Sequence, residues 1–597
     1  MASRLLGCAA ALFAGASLIG PGLACAQTYD RLIAFGDSLS DNGSLASPPA
    51  APYWQGRFSN GPVWVEDLGF SGLTHYGGAV SGNVDYALGG AQTGFQSPPP
   101  GMQLQLQTYL GNGGAFGRAD LVTLWGGTND LIQALPTALG AASPNAAMTG
   151  AAQTAAINIA SMSDTIASRG AGTVLIANLM DLGQTPSFGP AELGATSSQL
   201  LSAGSSAFDS ALRAQLATTA AQHPATNFIY MNVAPLYATV ASNPSALGLN
   251  GGRCISTTGQ VCSSPDSYFY WDGLHPTAAG HTLIARLAED YLYYGDRGAS
   301  SGLEGEAGLG LRQRALDADF ARLAGAPDSA SAAGLGVEVD GEDATTDARA
   351  LVPSATTRTG NLRIVVNHPL WGGMAGAAAS LGTGTVDATP LAFDETAYGG
   401  DIFYGWRGLH TFIDAAAGLT RTDYAIRRSA GLGSLVQTAN TQGWSWAGAF
   451  EAGLILEESG FEVSPRLRLS FDRVSVDAYQ ESGIAAQHDQ GARDLQTGVL
   501  DALVRIERAF GGRFGGFLEA GYERLLGYDA GAVVTGLVDN TALVQARDIG
   551  APYADEGVVS AGLSVRLFGG LTGEARYTGR LGALTSNGGA LKLHWAF

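Results

Sequence analysis

Ile33-Ala34-Phe35-Gly36-Asp37-Ser38-Leu39-Ser40-Asp41-Asn42 is the stretch from which the rest of the chain can be read. The apolar run 32–35 has the length and composition of a short buried strand. It stops at Gly36-Asp37-Ser38, where a glycine without a Cβ allows a sharp turn and a candidate nucleophile follows. A serine on the turn leaving a strand is held at the carboxyl edge of a sheet, where α/β folds build their sites. Gly-Asp-Ser alone is also ordinary turn chemistry. Its company further along gives it weight. Asn129, in Trp125-Gly126-Gly127-Thr128-Asn129-Asp130, follows another strand-like run, and His275 lies in Asp272-Gly273-Leu274-His275-Pro276.

Around these residues the first half of the chain alternates apolar strands, 32–35, 121–125, 174–178 and 228–233, with helical stretches at 151–168, 198–221 and 278–293. That alternation predicts an α/β unit with a parallel sheet covered on both faces. His275 then falls just before a helix start. At 597 residues the chain is too long for one ordinary domain. A formal net charge of −20 gives no basic footprint for nucleic acid, and an apolar content of 46% excludes a disordered chain.

The N-terminus reads as a secretory signal over 1–26: Arg4, an apolar stretch at 5–19, the break Gly20-Pro21, and Ala24-Cys25-Ala26 before Gln27. A membrane anchor is disfavoured by the short run without a basic stop, and a lipoprotein signal at Cys25 by Gly22. Past the signal, Cys254 and Cys262 are expected to pair in an oxidising compartment and pin the loop before Asp272, two free thiols being the alternative.

The second half changes character. Residues 298–305 are small and polar, 309–323 read as a helix with Leu316, Phe320 and Leu323 on one side, and 324–350 read mostly as loop. From 361 to 597 the period is two, as in 461–471, where Phe461, Val463, Pro465, Leu467, Leu469 and Phe471 alternate with Glu462, Ser464, Arg466, Arg468 and Ser470. A soluble sandwich would show one apolar and one wet face. So would a transmembrane barrel with its apolar face to lipid, which the signal, the aromatics at strand ends and the terminal Phe597 favour.

Ester hydrolysis by serine needs a base, an orienter for the base and donors for the oxyanion. Ser38 is the candidate nucleophile, His275 the base and Asp272 its orienter. The N–H groups of Ser38 and Gly90 and the amide of Asn129 are the candidate oxyanion donors. Asn129 could instead cap a helix, and Asp37 and Asp130 could brace turns. His75, His223 and His281 stand outside any motif. With no HExxH motif and no clustered His/Cys site, neither a metal nor another cofactor is expected.

These blocks resemble the GDSL (SGNH) esterase/lipase family, in the family's order. Phe35 to Asp41 looks like the first block, Tyr86-Ala87-Leu88-Gly89-Gly90-Ala91 the second, Gly127 to Asp130 the third and Asp272 to Thr277 the last. Gly56-Arg57-Phe58-Ser59-Asn60-Gly61-Pro62 resembles a further segment of the lipase-like branch. Asp85 departs from the Asn that many relatives carry there. The second half resembles the translocator barrel of type V autotransporters. That implies about 12 strands, within the ~10–14 the length allows, and a helix threading the pore. Together these imply a signal at 1–26, an esterase passenger at 27–297, a linker with the pore helix at 298–335 and a barrel at 336–597.

The expected protein is a monomeric esterase of the bacterial outer membrane. Its passenger faces outward and its barrel sits in lipid. Barrel-assembly and periplasmic chaperone machinery would act during export. The substrates would be short or medium acyl esters, glycerides or lysophospholipids. A carbohydrate O-acetylesterase, a non-catalytic adhesin and a secreted two-domain hydrolase are the alternatives.

Overall fold

The computed structural model describes residues 28–44, 49–77, 80–325 and 333–597, so the expected signal segment lies outside it. Strands β1 (Arg31–Gly36), β2 (Val84–Asp85), β3 (Asp120–Trp125), β4 (Thr173–Ala177) and β5 (Asn227–Met231) form a parallel sheet in the order β2-β1-β3-β4-β5. Nearly every residue of these strands is buried. Both faces are therefore covered, and the four longer strands read as unbroken apolar runs. The two-residue β2 is too short to carry a period and is not legible in the sequence. Among the covering helices are Met102–Gly111, Thr128–Gly140, Pro144–Ser168, Ala195–Gln222 and Ala278–Leu292.

The second half closes into an antiparallel barrel of 12 long strands, from Gly334–Thr346 to Leu584–Ala596. The first and last strands pair, Leu335 opposite Trp595, so no edge is left open. Leu467 and Phe471 are about half exposed on the outer wall, while Arg466, Arg468, Ser470 and Asp472 face the lumen, buried. An outer wall of Leu, Val, Ile and aromatic side chains needs hydrocarbon around it, since a soluble sheet would turn that face inward. Trp371, Trp406, Phe461, Phe510, Phe514 and Phe568 lie at or beside the short turns of one rim, as an interfacial girdle does. No described helix is long and apolar enough to cross a membrane, which leaves crossing by strands open.

Two readings of the junction are corrected. The helix runs from Gly302 to Ala324, well before 309. The small residues that read as linker allow close packing: a Cβ on Gly302 would lie 2.2 Å from Ile549 Cδ1. The stretch 324–350, read mostly as loop, contains the first barrel strand, Gly334–Thr346. Its lumen-facing positions are largely Gly, Asp and Glu, which masks the alternating Leu335, Val337 and Val339. The helix threads the lumen, where Arg312 donates to Thr420 Oγ1 (3.0 Å) and pairs with Asp401, Arg314 pairs with Glu342 (2.9 Å), and Asp317 pairs with Arg468 (2.5 Å). Buried charges such as Arg312 and Asp401 are tolerated because they are paired.

The long connections at the opposite rim hold the α/β unit. Arg428, at the end of strand Thr411–Ser429, is buried between Asp290 (2.7 Å) and Glu481 (2.8 Å). Asn540 donates to Tyr230 O (2.7 Å) and accepts from Tyr230 N (3.1 Å), and Thr541 Oγ1 donates to Phe228 O (3.1 Å). These bonds occupy the free edge of β5 with side chains that mimic a neighbouring strand.

Candidate active site

The carboxyl ends of β1, β2 and β3 converge. β1 delivers Ser38 one turn past its last residue, because Gly36 lies flat against β3: a Cβ there would sit 2.7 Å from Trp125 O. The glycine thus serves close approach between strands. Gln105, buried on helix Met102–Gly111, clamps the same residue, accepting from Gly36 N (3.1 Å) and donating to Gly36 O (2.9 Å). Nothing in the motif blocks names Gln105. Its only signal is a polar residue on the face shared by Met102, Leu106 and Tyr109.

Ser38 Oγ lies 2.8 Å from His275 Nε2, and His275 Nδ1 lies 2.7 Å from Asp272 Oδ2. Asp272 Oδ1 accepts from Leu274 N (3.0 Å) and His275 N (2.9 Å), so the Asp-x-x-His spacing folds back on itself. Gly273 makes this possible with φ +99°. Thr277 caps the following helix, and Asn60 Oδ1 accepts from Ala278 N at 2.8 Å. The 56–62 segment thus anchors the turn that carries His275. Cys254 and Cys262 form a disulfide, and Cys254 N and Ile255 N donate to Tyr270 O and Trp271 O, just before Asp272.

Opposite the serine, two backbone donors are free. Neither Ser38 N nor Gly90 N has a hydrogen-bond acceptor among the described residues, whereas Gly89 N is taken by Asp41 Oδ2 (2.7 Å). Of the two adjacent glycines only Gly90, at φ +80°, can offer its N–H to a ligand. Asn129 is no helix cap, since the helix begins at Thr128 with Gly127 at the cap position. Its amide donates to Ala91 O (3.0 Å) and lies 3.5 Å from Asp37 Oδ2. Asp130 Oδ1 and Oδ2 hold Thr93 Oγ1 (2.7 Å) and N (3.0 Å), tying the loop after Gly90 to this helix. Asp85, the departure from the family pattern, is buried and accepts from Asn42 N (3.1 Å) and Ala87 N (2.8 Å).

The electrostatics suit a base held ready. Burial pushes Asp272 up, but His275 and the donated hydrogen bonds outweigh it and hold the carboxyl below its usual range. Burial lowers His275, yet the carboxylate of Asp272 outweighs this, and its affinity for a proton ends above the ordinary 6.5. Asp37 is pushed up to about 7 by burial. His281 is depressed to about 3 by burial and stays neutral, accepting from Trp64 N at 3.3 Å. His75 and His223 lie away from the serine, against Asn42 and Asp164.

A model of the GDSL-like lipase/acylhydrolase family matches residues 32–288, and one of the autotransporter beta-domain family matches 336–578. A phosphatidylcholine-sterol acyltransferase of Aeromonas hydrophila is 35% identical over 169 residues, 27% of this chain and 47% of that protein. The chain thus spans about half the length of that curated relative. An uncharacterized protein from the trpE-trpG intergenic region of Pseudomonas putida is 26% identical over 524 residues, 77% of this chain and 83% of that one. The translocator domain of the autotransporter NalP from Neisseria meningitidis aligns with a TM-score of 0.43 at 15% identity, over 50% of this chain and 99% of that one. A β-domain of this kind implies residence in outer-membrane lipid and passage through export machinery. The chain thus carries a domain matching the GDSL-like lipase/acylhydrolase family followed by an autotransporter β-domain, whose closed barrel of 12 strands places it in the bacterial outer membrane.

Proposed function

We propose that the chain is a monomeric carboxylic ester hydrolase working through an acyl-enzyme. Residues 27–297 are the catalytic unit, 298–333 the tether and 334–597 the anchor, the first barrel strand moving the expected boundary at 335 back to Gly334. Ser38 Oγ attacks the ester carbonyl while its proton passes to His275 Nε2. Asp272 holds the imidazole in the tautomer that leaves Nε2 free and stabilises the imidazolium. The oxyanion is met by Ser38 N, Gly90 N and the Asn129 amide. His275 gives its proton to the departing alcohol, and water reverses the sequence to release the acid. The observation that carries this reading is the Ser38–His275–Asp272 line at 2.8 and 2.7 Å facing two unpartnered N–H groups.

The substrate class is short- or medium-chain acyl esters, glycerides or lysophospholipids. Support comes from the likeness to a protein named as a phosphatidylcholine-sterol acyltransferase. A fluorophosphonate probe tests the assignment: it adds its mass to the Ser38 peptide, and labelling elsewhere overturns it.

Two outcomes follow from the geometry. Asn129→Ala lowers kcat by about 10²–10³, or about 2.7–4 kcal/mol, with KM little changed, because the amide acts on the developing oxyanion. A KM effect alone would mean that Asn129 only binds substrate. His275 must be neutral to take the serine proton, so kcat/KM falls as pH drops through its raised pKa and the acid limb lies above 6.5. A profile flat to about pH 5 would remove His275 from the base role.

A further inference from the structure

Tyr53 belongs to none of the motif blocks and lies 219 residues before Asp272, yet its hydroxyl donates to Asp272 Oδ2 at 2.8 Å. That oxygen is the one His275 Nδ1 reaches at 2.7 Å. The ring stands edge-on to Trp271, with centroids 6.4 Å apart, and to Phe58 at 6.1 Å. Phe58 lies against the His275 ring, with centroids 5.0 Å apart at 32°. The phenol is therefore part of an aromatic wall packed along the His275–Asp272 pair.

Building on the esterase reading above, we propose that Tyr53 is a positioning residue of the hydrolytic site: its hydroxyl shares Asp272 Oδ2 with His275, fixes the rotation of the carboxylate and moderates how tightly the imidazole holds its proton. A donor on the carboxylate oxygen draws charge from the group that stabilises the imidazolium. The phenol stays protonated, since burial and the neighbouring Asp272 push its pKa upward. The other titratable groups facing the pair are Asp37, from the turn after β1, and His281, from the helix that follows. Arg253 lies against Gly273 and is itself paired with Glu192 at 3.2 Å. None of these contacts the Tyr53 hydroxyl, so a change there reports on Asp272 alone.

The test uses the full chain in detergent with a chromogenic short-chain ester, comparing wild type with Tyr53→Phe and with 3-fluorotyrosine incorporated at position 53. Tyr53→Phe keeps the ring and removes the donor. Its acid limb should move up by about 0.5–1 pH unit, the span of one net hydrogen bond, with KM unchanged. The fluorinated phenol is a stronger donor and should move the limb down. If Tyr53→Phe does not fold, the fluorinated protein alone decides by the direction of its shift. Profiles superimposable on wild type, or a change in KM alone, overturn the proposal. Wild-type rates from Ser38→Ala in the same series would instead overturn the esterase reading beneath it.

Discussion

Ser38→Ala should hydrolyse a chromogenic ester about 10⁴–10⁶-fold more slowly than wild type while the protein remains folded. No other hydroxyl can take the place of Ser38 Oγ, since the only serine turned toward His275 Nε2 at 2.8 Å among the described residues is this one. Residual turnover would come from the oxyanion donors and from binding, which the substitution leaves intact. His275→Ala should fall to a similar level. The double variant should be no worse than either single one, because nucleophile and base act as a unit. A loss below tenfold for Ser38→Ala, or additive losses in the double variant, would mean that the two residues do not share one step.

Arg428→Met should weaken the seating of the α/β unit on the barrel by about 3–5 kcal/mol, the cost of leaving buried partners without their counter-charge. Asp290 lies in helix Ala278–Leu292 of the passenger and Glu481 in a connection of the barrel, and the guanidinium fills the space between them. Asp290 keeps a second cationic partner in Arg297 (2.8 Å), whereas Glu481 keeps only His488, through its backbone N–H (3.1 Å) and its buried ring (3.8 Å), among the described residues. Denaturant titration of the detergent-solubilised protein, followed by esterase activity, reads the loss as a lower midpoint at unchanged slope. Glu481→Gln with Arg428→Met should recover part of it. Unchanged midpoints would mean that the edge contacts of Asn540 and Thr541 with β5 hold the interface by themselves.

The parts legible in the sequence are those in which residue type and local period carry the information. β1, β3, β4 and β5 are continuous apolar runs because both faces of the sheet are covered, and the barrel strands alternate because one face meets lipid and the other the lumen. Ser38, Asn129 and His275 could be placed because each sits beside a glycine-marked turn at the end of a strand or before a helix. What escaped notice depends on contacts between distant positions. Gln105 meets Gly36 across 69 residues, Tyr53 meets Asp272 across 219 and Arg428 meets Asp290 across 138, and no local pattern encodes such pairs. The junction is hard to read from sequence for a related reason. The glycines of the pore helix resemble a linker in composition, but they permit contacts such as Gly302 against Ile549 that appear only once the barrel has closed.

Hydrolysis of a membrane-impermeant chromogenic ester by intact cells producing the full chain, beside cells producing Ser38→Ala, tests the central claim most directly. Intact and lysed wild-type cells should hydrolyse the ester at the same rate, and Ser38→Ala cells should show only background in both. Activity that emerges only after lysis would contradict an esterase held outside the cell by its own barrel, and full activity in Ser38→Ala would contradict the serine mechanism.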